Sequence, residues 1–160
     1  MKIFFTFVIL LGFTFSECNA QTFTLTSSTL HKGDSLVTRR IEYSYNKIQI
    51  LTDSQLFLDS LAVLFLKHDS VSIKIESHTD QRGNNTYNEK LSSRRAQSLA
   101  DYLFSKGVAK DRIVAIGCGE NKPLVNENEI SKMESQEEQE EAYSLNRRTV
   151  FIITSVKYKK

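Results

Sequence analysis

The stretch Val71-Ser72-Ile73-Lys74-Ile75-Glu76-Ser77-His78-Thr79-Asp80, followed past Gly83 by Leu91-Ser92-Ser93-Arg94-Arg95-Ala96, decides how this chain folds. Val71, Ile73 and Ile75 alternate with Ser72, Lys74 and Glu76, the pattern of a strand with one buried face, and that strand carries the chain to Asp80. Gly83, Asn84 and Asn85 supply a loop. Thr86 and Glu89 have the spacing of a capping box, Leu91, Leu99, Tyr102 and Leu103 recur at helical intervals, and Gly107 closes the segment. Residues 86 to 106 are therefore expected to form one amphipathic helix.

Arg95 stands four residues after Leu91 and four before Leu99, so it projects from the apolar stripe, whereas Arg94 is turned about 100° toward water. A guanidinium cannot shed its charge, and breaking a buried ion pair costs roughly 3 to 5 kcal/mol, so Arg95 needs an anionic partner. Asp80, at the strand end and close to the helix start, offers two arrangements. It closes an internal salt bridge with Arg95, or the two charges receive the ammonium and carboxylate of a small zwitterion between them.

At this point the residues match a known pattern. Ile75-Glu76-Ser77-His78-Thr79-Asp80, Gly83, and Tyr87-Asn88-Glu89-Lys90-Leu91-Ser92-Ser93-Arg94-Arg95-Ala96 resemble the OmpA-like C-terminal, peptidoglycan-binding domain of the OmpA, Pal and MotB type. The likeness continues through Arg112-Ile113 to Gly117-Cys118-Gly119-Glu120-Asn121-Lys122-Pro123 and ends at Asn146-Arg147-Arg148 with Val150. Upstream, Ile41 to Asn46 looks like the family's first strand.

The resemblance implies non-covalent binding of the diaminopimelate residue in the peptidoglycan stem peptide. Asp80 would meet the ligand's ammonium and Arg95 its carboxylate, with Thr79, Leu91, Asn46 and Arg147 at further matching positions. The chemistry agrees, because diaminopimelate carries both charges on one carbon and a carboxylate plus a planar guanidinium fork is a matched receptor pair. Two positions depart from the family pattern: Ser77 stands where glycine is usual before His-Thr-Asp, and Ser44 where an aspartate is common.

The elements follow in the order strand, helix, strand, helix, strand, acidic insertion and final strand. That order predicts an α/β (α+β) fold, a two-layer sandwich of a mixed β-sheet with helices on one face. Residues 39–156 form the domain, and residues 21–38, rich in serine and threonine, form a leader or edge strand before it. Thr52 with Gln55 reads as a second capping box for a helix through Lys67, with Leu58, Leu61, Ala62, Phe65 and Leu66 on one face. Thr149 to Thr154 is apolar and β-branched, as a buried strand requires.

The insertion 126–142 holds seven glutamates against one lysine. Like charges at this density predict a mobile loop with at most a short solvated helix, open to a basic envelope protein partner. Residues 157–160 make a basic tail.

Lys2 precedes an apolar run, Ile3 to Phe15, shorter than the roughly 20 residues of a membrane span. Cys18-Asn19-Ala20 before Gln21 offers a small-residue cleavage site. Residues 1–20 thus read as a signal peptide of an exported, periplasmic, peptidoglycan-associated protein. The alternative is a lipoprotein acylated at Cys18, to which Glu17 and Phe15 are poor neighbours. Cleavage after Ala20 leaves Cys118 alone, without a partner for an intramolecular disulfide.

The formal charge of +2, from 21 basic and 19 acidic residues, shows no clustered basic footprint for nucleic acid. His78 and Asp80 are too few for a metal site, and His31 and His68 have no partner at metal-ligand spacing, so the sequence predicts no metal and no cofactor. Gly117-Cys118-Gly119-Glu120 has neither dinucleotide nor phosphate-loop spacing and reads as a tight turn after a strand Ile113 to Ile116. Two other function classes stay open. Asp80, Glu76 and Glu89 raise a wall-cleaving hydrolase, though Glu76 belongs to a strand and Glu89 to a cap. A protein-assembly module with a weakened pocket is the other.

Overall fold

The computed structural model describes residues 22–43 and 50–157. The expected signal peptide, Cys18, Ser44, Asn46 and the last three residues of the basic tail lie outside them.

Four strands, β1 (Ser35–Thr38), β2 (Val71–His78), β3 (Ile113–Gly119) and β4 (Thr149–Val156), form one sheet in the order β1-β4-β2-β3. β4 pairs antiparallel with β1 and with β2. β2 and β3 are parallel and therefore need a crossover, which the helix α2 (Asn85–Ser105) provides. With α1 (Thr52–Lys67) this gives the mixed sheet and helical layer expected from the sequence.

The core lies between the helices and the inward residues of the sheet. Val71, Ile73 and Ile75 from β2 and Phe151 and Ile153 from β4 pack with Leu58, Leu61 and Phe65 of α1 and Leu99 and Leu103 of α2. The leader belongs to this core: Phe23 is buried edge-on against Phe65, with ring centroids 6.2 Å apart, and its amide donates to the Ser35 carbonyl. Arg112 closes the corner between α1 and β2 by donating to the carbonyls of Phe65, His68 and Val71. A cation at the end of α1 is favoured by the helix dipole as well as by its orphan carbonyls.

Several local expectations are corrected. Asn84, not Thr86, caps α2, its side chain accepting from the amides of Thr86 and Tyr87. The extended backbone at Asn84 follows the positive φ of Gly83, so the cap forms two residues early. Thr52 lies inside α1, and Gln55 donates back to the Ile50 carbonyl rather than completing a box. In α1, Leu64 is buried and Leu66 exposed.

The expected strand Ile41 to Asn46 reduces, in its described part, to an isolated bridge between Tyr43 and Ile50, and the edge strand is β1 instead. Gly117 to Gly119 are not a turn, because β3 continues to Gly119. The acidic insertion is folded as α3 (Glu127–Ile130) and α4 (Gln136–Asn146). Capping boxes at Asn126 with Glu129 and at Ser135 with Glu138 satisfy the first-turn amides, and Ile130 and Ala142 are buried. Glutamates near helix N-termini are favoured there, which offsets the repulsion that argued for a loop.

Two expected outcomes follow from this packing. A methyl group at Gly117 would overlap the backbone of Ser93 on α2. Backbone cannot yield as a flexible side chain does, so Gly117→Ala should cost at least about 1–3 kcal/mol in chemical denaturation, and wild-type stability would refute the close approach.

On the face of β2 opposite Val71, Ile73 and Ile75, His78 is buried, and burial together with Arg148 and Lys122 outweighs Glu76 to bring its pKa from 6.5 down to about 4. The folded chain therefore binds this proton less readily than the unfolded chain. The stability contributed by neutral His78 is whole above pH 6.5 and is lost as pH falls toward 4, by at most about 3 kcal/mol. In EDTA, wild type should lose melting temperature across that window and His78→Gln should lose less. Parallel slopes would refute the assignment.

Candidate ligand-binding site

The site is built where β2 ends. The His78 amide donates to the Arg148 carbonyl and the Thr79 amide to the Gly119 carbonyl, so both neighbouring strands hold the chain until it turns at Asp80. Asn88, buried on α2, donates to the carbonyls of Asp80 and Arg82 and to Glu120 Oε2 at 2.6 Å, pinning the loop to the helix start. Asn88, Ser92 and Ala96 form the buried stripe of this half of α2, where Leu91 and Arg95 were expected, because the helix lies too close to β3 for large side chains. The Ser92 hydroxyl accepts from the Gly119 amide at 2.9 Å. Leu91 and Arg95 flank that stripe, both partly exposed.

Asp80 and Arg95 do not pair with each other. The Asp80 carboxylate is buried and accepts from Arg82 Nε (3.2 Å), Arg82 Nη2 (2.8 Å) and Arg147 Nη1 (2.6 Å). Burial pushes its pKa up, but the hydrogen bonds from Arg82 and Arg147 prevail and hold it below the usual carboxylate range. Both arginines continue to Glu140 of α4, Arg147 at 2.6 Å and Arg82 at 2.8 Å, and Arg82 stacks on Tyr143 with 4.5 Å from Cζ to the ring centroid.

Arg95 lies over the Tyr43 ring at 4.8 Å, a cation–π contact. Its Nε is buried without a hydrogen-bond partner, and no carboxylate pairs with it among the described residues. Burial lowers its pKa, with Tyr43, Tyr87 and Asp80 as partial electrostatic compensation. Burial likewise raises that of the Tyr43 phenol.

Arg95 borders a cavity of about 390 Å³ at the end of β2 and β4, lined also by Arg39, Tyr43, Ser77, His78, Arg147 and Arg148. Four guanidinium groups against one carboxylate in the wall, Glu42, favour an anionic ligand. Arg147, expected from its motif, joins the Asp80 network and the cavity wall at once. Thr79 is buried beside Asp80 with its hydroxyl unpartnered. Leu91 stands one turn before Arg95 and is absent from the cavity wall.

Sequence reasoning missed Tyr43, Arg82, Glu140 and Asn146. Arg82 had the signal of sitting two residues after Asp80, within reach of an Asx-type contact. Asn146 is fully buried, accepts from the amides of Leu124 and Val125, and donates to Gln81 Oε1 and the Val125 carbonyl. It thereby ties the insertion to the Asp80 loop.

Residues 43–137 match the OmpA family. The chain is 36% identical over 138 residues to a peptidoglycan-associated lipoprotein of Buchnera aphidicola, a match covering 86% of this chain and 69% of that protein. It is 39% identical over 84 residues to outer membrane protein A of Escherichia fergusonii, covering 51% of this chain and 35% of that one. The chain thus spans about a third of the latter. Among solved structures, the crystal structure of the peptidoglycan-associated lipoprotein from Burkholderia pseudomallei superposes with a TM-score of 0.57 at 22% identity, over 71% of this chain and 87% of that one. The family match over more than half of the chain and the extent of the first of these relatives show that the chain belongs to the OmpA family.

Proposed function

We propose that this protein is a non-catalytic envelope module that holds peptidoglycan through the zwitterionic end of diaminopimelate. The carrying observation is Arg95, half-buried over Tyr43 with its Nε buried and unpartnered, on the wall of an arginine-rich cavity. Its guanidinium fork takes the ligand carboxylate, with Arg147 beside it.

The ammonium goes to Asp80. In the free protein Arg82 holds that position, and its side chain is 50% exposed. An incoming ammonium replaces the positive charge that the buried Asp80 carboxylate needs, and the displaced Arg82 moves toward solvent while keeping Glu140 and Tyr143 as partners. Thr79 supplies a hydroxyl beside the ammonium and Leu91 an apolar shoulder, while Asn46 rests on the family resemblance alone.

A hydrolase reading has little to stand on. Asp80 is occupied by two arginines, Glu76 accepts from Lys74 at 2.9 Å, and Glu89 is exposed, so Asp80 and Glu76 are held in ion pairs rather than free as the acid and base of glycoside hydrolysis. The relatives' names place those proteins at peptidoglycan and the outer membrane, and the same envelope setting suits an exported form of this chain. Because two of the relatives are named lipoproteins, acylation at Cys18 is the second arrangement of the same function.

Co-sedimentation of the full chain with diaminopimelate-containing sacculi tests the reading. Wild type should pellet and be released by free meso-diaminopimelate, while Asp80→Ala and Arg95→Ala, confirmed folded, should bind about tenfold or more weakly, since each charged hydrogen bond is worth roughly 1.5–3 kcal/mol. Sacculi carrying lysine in that position should bind poorly. Wild type left in the supernatant would transfer the lead to the protein-assembly reading.

Glu140→Gln supplies an independent check. It removes the carboxylate that retains Arg82 when an ammonium takes its place on Asp80, so sacculus binding should weaken several-fold; tighter binding would mean that Glu140 competes with the ligand for the arginines.

A further inference from the structure

On the face of the sheet opposite Val71, Ile73 and Ile75, β2 carries Glu76 and His78 two residues apart. The β2–β3 register steps from Ser77 opposite Gly117 to His78 opposite Gly119, which leaves Cys118 as the extra residue of a bulge. Bulges re-aim side chains, and this one brings the thiol to Glu76 and His78. One donor atom from each, an imidazole nitrogen, a carboxylate oxygen and a sulfur, all lie within 4.8 Å of one another.

His78 is the second observation. Its side chain is 2% exposed, and both ring nitrogens are without a hydrogen-bond partner. Buried polar groups are nearly always satisfied, and each one left unmade costs about 1–3 kcal/mol. Nε2 stands 3.7 Å from Glu76 Oε2, too far for a hydrogen bond and about right for two ligands of one ion that close slightly around it.

The carboxylate is arranged to match. Lys74 Nζ sits on Oε1 at 2.9 Å and leaves Oε2 turned toward His78. A hydrogen-bonded outer oxygen is the usual support for a carboxylate that ligates through the other. Lys122, 3.7 Å from Oε1 and 62% exposed, can swing into solvent as an ion enters.

We propose that Glu76, His78 and Cys118 form a binding site for a borderline-soft divalent transition ion of the Zn²⁺ class. The mixed nitrogen, sulfur and oxygen set selects against Mg²⁺ and Ca²⁺, which prefer oxygen alone. Three protein ligands leave the fourth tetrahedral position to water or an anion. On binding, the Cys118 thiol gives its proton to solvent, the imidazole coordinates as the neutral base, and no electron is transferred. Lys74, Lys122 and Arg148 oppose the added positive charge, which sets the affinity below that of closed structural zinc sites. The site was illegible from spacing alone because Cys118 comes from another strand, some forty residues on, and faces the others only through the bulge.

The test is titration of the reduced full chain with Co²⁺ alone and then Zn²⁺ alone, followed by absorption spectroscopy and calorimetry. The expected result is one equivalent of Co²⁺ with a thiolate-to-metal charge-transfer band and the visible spectrum of four-coordination, bleached by Zn²⁺. Cys118→Ser, nearly isosteric, should abolish the charge-transfer band, whereas Cys18→Ser should leave it. His78→Gln and Glu76→Gln should each weaken binding about tenfold or more. Absence of saturable binding, or binding that survives Cys118→Ser and His78→Gln unchanged, would overturn the proposal.

Discussion

The arrangement rests on how closely α2 is seated on β3. Gly117 has no side chain where Ser93 passes, and Ser92 reaches the Gly119 amide directly. A helix that near cannot present leucines, so its first half buries Asn88, Ser92 and Ala96, and apolar burial is concentrated at Leu99 and Leu103. That division gives α2 an anchoring half and a polar half. Asn88 can therefore grip the backbone of the Asp80 loop, and Arg95, one position off the buried stripe, overhangs the cavity at the sheet's end.

Five arginines, 39, 82, 95, 147 and 148, gather at that end, and their mutual repulsion needs counter-charge. The insertion provides it. Glu140 pairs with Arg82 and Arg147, and Glu141 pairs with Arg39 at 2.9 Å, so α4 faces the cluster with its acidic side. Asn146, at the end of α4, fixes that helix to Gln81 and to the chain at Leu124 and Val125. What composition alone suggested as a self-repelling loop is an internal counter-ion held in register by one buried amide.

The strand to Asp80 and the helix carrying Arg95 could be read from the sequence because both are local periodicities with nearby punctuation. The cap of α2 was misplaced because Asn84 and Thr86 are both competent caps, and only the backbone leaving Gly83 chooses between them. The insertion was misread because glutamate density hid two capping boxes and the two small contacts, Ile130 and Ala142, that hold the helices down. The partners of Asp80 were hidden for a different reason. Arg147 lies 67 residues away, and Arg82 and Glu140 meet 58 residues apart, distances that no periodicity encodes.

This separation of roles bears on how such a site gains affinity. Seating Arg95 over Tyr43 with its Nε buried is a cost met by the hydrophobic core, independent of any ligand, so on the proposed reading a carboxylate arriving there finds that donor already oriented. Asp80 is the reverse case, a carboxylate already satisfied, whose exposed partner Arg82 must yield. The first arrangement favours binding and the second subtracts from it. On the proposed reading, such a receptor binds each ligand group modestly and exchanges it readily, which is tolerable where many identical groups are presented along one polymer and simultaneous engagement multiplies weak contacts.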